Sequence, residues 1–283
     1  MGVMTYFKTE GETVSQEPKA TLAMVRELDL PTAQIIYPPQ LDSEVGRAQI
    51  CEACAALDVE ITTVFCSFTG ELYGDIPTVR ATVGLVPEAT RAQRMAVIET
   101  ISTFAQALGV ARVAAHIGFI PEDPHEAHYV PLVQTLQRVC DRVTARDQVF
   151  ALETGQETGR TLHRFIGDVD RANLRVNFDP ANMILYGNDD PVRATTLLSP
   201  WIDGVHCKDG RWPVTQGILG RETPFGEGDV NVSLWLKTLL ATGYRGPLTI
   251  EREIHGEEQH QDIWRARRLL EGLLQNEPSR AST

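Results

Sequence analysis

The chain has 283 residues, 42 % of them hydrophobic, and carries 26 Lys plus Arg against 38 Asp plus Glu, a formal net charge of −12. That length and apolar content support a large core, as one α/β barrel or two ordinary domains. The acidic balance argues against nucleic acid as a partner and fits small neutral or metal-chelated ligands.

Val3 to Phe7 reads as a short strand, and Lys19 to Leu28 as an amphipathic helix with Leu22, Val25 and Leu28 on its apolar face. Ala33 to Tyr37 is a second strand closed by Pro38-Pro39, followed by a helix from Ser43 to Leu57. Ile61 to Phe65 is the third strand. A loop from Thr69 to Pro87 follows, then a helix from Thr90 to Leu108 that Gly109 closes. Ala111 to Ala115 is the fourth strand and runs into His116; Pro124 to Ala145 is helical. Val149 to Leu152 is the fifth strand and ends on Glu153, with a short helix at Thr161 to Ile166. Leu174 to Phe178 is the sixth and ends on Asp179. Pro191 to Leu198 is helical, and Ile202 to Val205, the seventh strand, ends on His206. Val232 to Thr242 is helical. Leu248 to Ile250 is the eighth strand and ends on Glu251; Glu258 to Leu274 is the last helix, and a polar tail from Asn276 is expected to fray.

Eight strands alternating with helices imply parallel pairing through right-handed crossovers. The expectation is one α/β domain over residues 1–283, a (β/α)8 TIM barrel, which typically takes ~250 residues. A doubly wound sheet would carry a glycine-rich phosphate turn after its first strand, and none is present. No window approaches a membrane span, Met1 to Thr13 has no apolar signal core, and the five cysteines lack regular spacing. No membrane association and a reduced cytoplasmic setting follow. Cys51 and Cys54 form a C-x-x-C pair without a second pair, so they read as small side chains on a half-buried helix.

Glu153, Asp179, His206 and Glu251 end consecutive strands, separated by 26, 27 and 45 residues. A barrel brings such strand ends to one mouth, where its active sites lie. Three carboxylates and one imidazole make an oxygen-rich site suited to one divalent ion, Mn²⁺, Mg²⁺, Co²⁺ or Zn²⁺. Such an ion, chelated by a sugar carbonyl and its neighbouring hydroxyl, acts as a Lewis acid while two Glu on opposite sides take and return a proton. Epimerisation, aldose–ketose isomerisation and dehydration all share this chemistry.

With these residues in view, the chain resembles the xylose isomerase-like barrel superfamily. The matching pieces are Ala151-Leu152-Glu153, Asn177-Phe178-Asp179-Pro180-Ala181-Asn182, His206-Cys207-Lys208-Asp209, Phe225-Gly226-Glu227-Gly228-Asp229 and Leu248-Thr249-Ile250-Glu251. The resemblance implies that Glu153, Asp179, His206 and Glu251 are metal ligands and that Glu153 and Glu251 are also the acid/base pair. It implies a divalent-metal-dependent isomerase or epimerase of a ketose-type sugar or polyol ketone, in a family whose members often form homo-oligomers. Dehydratases and lyases of the inosose dehydratase or keto-glycoside type share the barrel. So does endonuclease IV, whose three-zinc site has a histidine where this chain has Asn182.

Candidate substrate contacts are His116 at the end of strand four, Glu157 four residues past Glu153, Asn182, Lys208 two residues past His206, and Arg211. The Gly226-Glu227-Gly228-Asp229 stretch has two readings: a phosphate cradle of backbone N–H groups, or a glycine turn with Asp229 capping the next helix.

Overall fold

A computed structural model describes residues 1–7, 9–10, 13–14, 18–215 and 217–276. Eight strands close into a barrel: β1 Gly2–Thr5, β2 Thr32–Ile36, β3 Glu60–Phe65, β4 Arg112–Ala115, β5 Val149–Glu153, β6 Leu174–Phe178, β7 Ile202–Cys207 and β8 Leu248–Ile250. Each strand pairs in parallel with its sequence neighbours, and β8 closes on β1. The (β/α)8 expectation holds. The expected strands match to within two residues at each end.

Ten helices follow among the described residues: α1 Pro18–Glu27, α2 Glu44–Leu57, α3 Ile76–Thr82, α4 Glu88–Ala107, α5 Tyr129–Thr144, α6 Gly159–Val169, α7 Pro180–Leu185, α8 Pro191–Leu198, α9 Val232–Ala241 and α10 Glu257–Gln275. α6 shows how the chain writes them. Leu162, Phe165, Ile166 and Val169 fall on one stripe and are all buried. Thr158 caps the start through Oγ1, which accepts the Thr161 N–H at 3.2 Å; such a cap contributes about 1 kcal/mol. Asp170 ends the helix in the left-handed conformation at φ 48°. None of the helices among the described residues is long and apolar enough to cross a membrane.

Two short helices were not expected. α3 interrupts the Thr69-to-Pro87 loop, capped by Asp75 with Pro77 in its first turn. α7 starts directly on Asp179, whose next residue is Pro180. α5 begins at Tyr129, later than Pro124, because residues 124–128 form turns. Two antiparallel ribbons were also missed: Thr9–Glu10 with Thr13–Val14, and Asp209–Arg211 with Arg221–Thr223. The second stands over the barrel mouth. The expected frayed tail lies, beyond Asn276, outside the described residues.

Large side chains, among them Trp235, Phe104, Phe150, Phe165 and Phe178, fill the core and are less than 2 % exposed. A smaller cluster of Phe65, Ala114 and Ala151 packs with Met4 and Ile36.

The register slips twice: between Ala33 and Gln34 where β2 meets β3, and between Val176 and Asn177 where β6 meets β7. Bulges of this kind re-aim side chains. Here they present Gln34 and Asn177 to one another, Gln34 Nε2 donating to Asn177 Oδ1 at 3.2 Å. Gly204 on β7 lets that pair fit, since a Cβ at this position would lie 2.4 Å from Asn177 Oδ1.

Candidate metal centre

Glu153 ends β5, His206 is the last residue but one of β7, and Asp179 and Glu251 directly follow β6 and β8; all four are nearly or fully buried. One ligand atom from each lies within 4.8 Å of all the others. His206 Nδ1 sits 3.0 Å from Glu153 Oε1, 3.1 Å from Glu251 Oε2 and 3.5 Å from Asp179 Oδ2. Neither His206 Nδ1 nor Asp179 Oδ2 has a hydrogen-bond partner.

The local fold explains why these atoms are unspent. Asp179 is the N-cap of α7: its Oδ1 accepts the Asn182 N–H at 2.9 Å, which leaves Oδ2 for the site. Thr154 Oγ1 holds the Asp179 backbone, accepting its N–H at 2.8 Å and donating to its carbonyl at 2.9 Å. His206 Nε2 is 2.8 Å from Gln34 Oε1. Because Gln34 spends its amide nitrogen on Asn177, its oxygen faces the imidazole, so Nε2–H donates and the Nδ1 lone pair is turned into the cluster.

A metal ion fits this donor set on two counts. Three carboxylates converging on a buried imidazole repel one another, and isolated buried polar atoms are costly. A divalent ion answers both. Without one, burial disfavours charge on His206, but Glu251 and Glu153 outweigh it and hold the imidazolium well above its ordinary value. Burial pushes the Asp179 carboxyl up, against the pull of Lys208 and His206. Burial opposes charge on Glu251 too, yet His206 and Lys208 keep its carboxyl well below the usual range.

Lys208, 1 % exposed, is the buried counter-charge. Its Nζ lies 3.0 Å from Glu251 Oε2, 2.7 Å from Glu253 Oε1, 3.3 Å from Asn182 Oδ1 and 3.7 Å from Asp179 Oδ2. Asn182 also reaches Glu153, with Nδ2 3.4 Å from Oε1. His116 Nε2 is 3.1 Å from Glu153 Oε2, and its Nδ1 meets Gln156 at 3.3 Å.

A cavity of about 490 Å³ opens onto this cluster, lined by Glu153, Glu251, His116 and Asn182. Phe65, Phe68, Leu185 and Leu219 supply apolar walls. Of the expected substrate contacts, the fold brings His116 and Asn182 to the cavity wall and Lys208 just behind it. It does not bring Glu157 or Arg211 there. Glu157 is 3 % exposed, turned into the protein near Glu122, and its carboxyl is pushed up to about 8 by burial and then by Glu122. Arg211 points away, donating to the Glu227 carbonyl at 2.6 Å and pairing with Asp229 at 3.5 Å.

Four groups at the site were missed. Glu222 and Glu253 line the cavity, and nothing in their sequence context marks them. Gln34 and Asn177 orient His206, and here a signal existed: each is a lone amide inside an apolar strand, Ala33-Gln34-Ile35 and Val176-Asn177-Phe178.

The Gly226-Glu227-Gly228-Asp229 stretch is also resolved. Its N–H groups are taken by Asp209, whose carboxylate accepts from Gly226 at 3.0 Å, Gly228 at 2.9 Å, Val230 at 3.1 Å and Gly210 at 2.8 Å. A Cβ at residue 228 would lie 2.1 Å from Asp209 Oδ1. The cap of α9 is Asn231, not Asp229 as expected: at φ 53° it accepts the Leu234 N–H, while Asp229 accepts that of Trp212.

The barrel is shared with known proteins. A crystal structure of a xylose isomerase domain protein from Planctomyces limnophilus is 40 % identical, covers 96 % of each chain and superposes with a TM-score of 0.89. A D-tagatose 3-epimerase-like protein is 18 % identical over 97 % of each chain with a TM-score of 0.74, a likeness of fold. A curated relative, the putative L-ribulose-5-phosphate 3-epimerase SgbU of Escherichia coli (strain K12), is 36 % identical over 100 residues, which span 34 % of this chain and 34 % of SgbU. The family described as xylose isomerase-like TIM barrel matches residues 22–272, and the chain belongs to it.

Proposed function

We propose that this protein is a divalent-metal-dependent isomerase or epimerase acting on a ketose-type sugar or a related polyol ketone. The observation that carries the reading is the pair of unspent buried atoms, His206 Nδ1 and Asp179 Oδ2, facing Glu153 and Glu251 at the floor of the cavity. An ion held by these four residues, Mn²⁺ being one that suits the set, supplies Lewis acidity to a carbonyl oxygen and its neighbouring hydroxyl.

The chain's own residues handle the proton. Glu251 lies beside the buried Lys208, Nζ to Oε2 at 3.0 Å, a counter-charge that favours its ionised form, so it is ready to take a proton from the carbon beside the carbonyl. Glu153 meets the same His206 Nδ1 through Oε1 at 3.0 Å, with His116 at 3.1 Å from Oε2 to receive or return a proton. Asn182 bridges Glu153 and Lys208, which fixes both carboxylates relative to one another. Delivery from the opposite face to the same carbon gives an epimer; delivery to the adjacent carbon gives the aldose. Five free cysteines are in keeping with a reducing cytoplasmic setting.

Incubation of the metal-supplemented protein with a panel of ketoses and keto-polyols tests the reading. An isobaric product, lost on chelation, supports it. A product lighter by water moves the assignment to a dehydratase, and turnover unaffected by chelation contradicts the metal role.

A further inference from the structure

A phosphate ester needs a cation or a set of unspent N–H groups to receive it. TIM barrels frequently supply one from the loops after strands seven and eight. In this chain several donors of those loops are committed to internal acids. After β7, Asp209 takes the N–H groups of Gly226, Gly228 and Val230. After β8, Glu222 takes the Glu253 N–H at 3.0 Å. Across the mouth, Glu71 takes those of Phe68 at 3.3 Å and Gly84 at 2.7 Å. α10, which follows β8, opens with Glu257 and Glu258.

The cations are committed in the same way. No Arg or Lys lines the cavity among the described residues. Behind it, Lys208 is held by Glu251 and Glu253, and Arg252 by Glu222 at 2.9 Å and Asp262 at 2.8 Å. Arg94 faces Glu71 at 3.9 Å and donates to the Gly84 carbonyl at 2.6 Å. With a divalent ion in place, that ion and Lys208 balance Glu153, Asp179 and Glu251, while Arg252 balances Glu222. Glu253 is left as a surplus negative charge on the cavity wall, its side chain 61 % exposed.

We propose that this site takes an uncharged, unphosphorylated ketose, and that Glu253 is the group that turns a phosphate ester away. The inference rests on the isomerase reading above and narrows its substrate class. It departs from the phosphorylated sugar in the name of the Escherichia coli relative. Glu253 and Glu222 accept hydrogen bonds from neutral hydroxyls, the donors such a sugar offers. A phosphate placed against them meets like charge in a partly enclosed site.

The test uses the full-length, Mg²⁺- or Mn²⁺-loaded protein in D₂O with L-ribulose, D-xylulose, D-fructose and D-tagatose, each beside its terminal phosphate ester. Deuterium uptake is read by mass spectrometry and binding by isothermal titration. For the sugar that exchanges, the free form should bind and exchange at least ~10-fold better than its ester, the size expected of like-charge juxtaposition. Glu253→Gln should shrink that ratio by about threefold or more. An ester preferred over its free sugar overturns the inference and leaves the isomerase reading standing. An unchanged ratio in Glu253→Gln removes Glu253 as the discriminator. Absence of exchange and binding for every sugar and ester, with metal bound, overturns the isomerase reading and the inference with it.

Discussion

Glu157 offers a prediction with a sign that can be worked from the structure. It is buried with no cationic side chain paired to it among the described residues; burial and then Glu122 push its carboxyl up to about 8, and only its own backbone N–H helps the charged form. The unfolded chain releases this proton near the ordinary value of 4.5, whereas the folded protein keeps it to about 8. Between those two values the folded state binds more protons, so stability falls as pH rises and levels off above the folded value. The gap of about 3.5 units, at ~1.36 kcal/mol each, sets a ceiling of about 5 kcal/mol. Local relaxation and water entry lower the realised penalty to roughly 2–3 kcal/mol. Glu157→Gln mimics the protonated form and removes the penalty. Urea unfolding of wild type and variant at a series of pH values is the assay. The variant should match wild type near pH 4.5 and exceed it by roughly 2–3 kcal/mol above pH 8. A constant offset across the series, or a variant less stable than wild type above pH 8, would refute the reasoning.

Three further outcomes follow from the site. Gln34→Leu removes the acceptor that orients His206 Nε2–H, so Mn²⁺ affinity by isothermal titration should fall ~10–100-fold with the fold intact by circular dichroism. Lys208→Met leaves Glu253 without its cation and Glu251 with His206 alone; the metal-free protein should lose about 3–5 kcal/mol of stability, and saturating metal should recover part of it in a thermal melt. Chelation of wild type should lower Tm, and re-addition of metal at ~100 times its Kd should restore about 2.7 kcal/mol, a response absent in His206→Ala.

The site's first layer was legible because a barrel ties sequence position to place. Apolar runs that stop on Glu153, Asp179, His206 and Glu251 must deliver those side chains to one mouth once the strands are parallel. The supporting layer was harder to read, since it depends on where two bulges fall: Gln34 and Asn177 are 143 residues apart and meet only because both strands slip register. Lys208 reads as a substrate contact from its spacing; its surroundings of Glu251, Glu253 and Asn182, drawn from the end of β8 and from α7, were not legible there. Glu157 is singled out by lying four residues past Glu153, but it precedes α6, and its side chain turns into the protein toward Glu122 instead of the mouth. The Gly226 and Gly228 turn allowed an external anion or an internal one, and the tertiary fold supplied Asp209. α3 and α7 were too short to show a helical period, so their caps, Asp75 and Asp179, with Pro77 and Pro180 in the first turn, were the local signals.

The central claim is that one ion held by Glu153, Asp179, His206 and Glu251 serves proton transfer between two glutamates. The most direct measurement is deuterium incorporation from D₂O into a ketose, by wild type and Glu251→Gln, with bound metal quantified in both. The account predicts one equivalent of metal in wild type, deuterium at the carbon beside the carbonyl, and loss of that label in Glu251→Gln in a sample brought to full metal occupancy. Label incorporated at the wild-type rate by metal-loaded Glu251→Gln would contradict it.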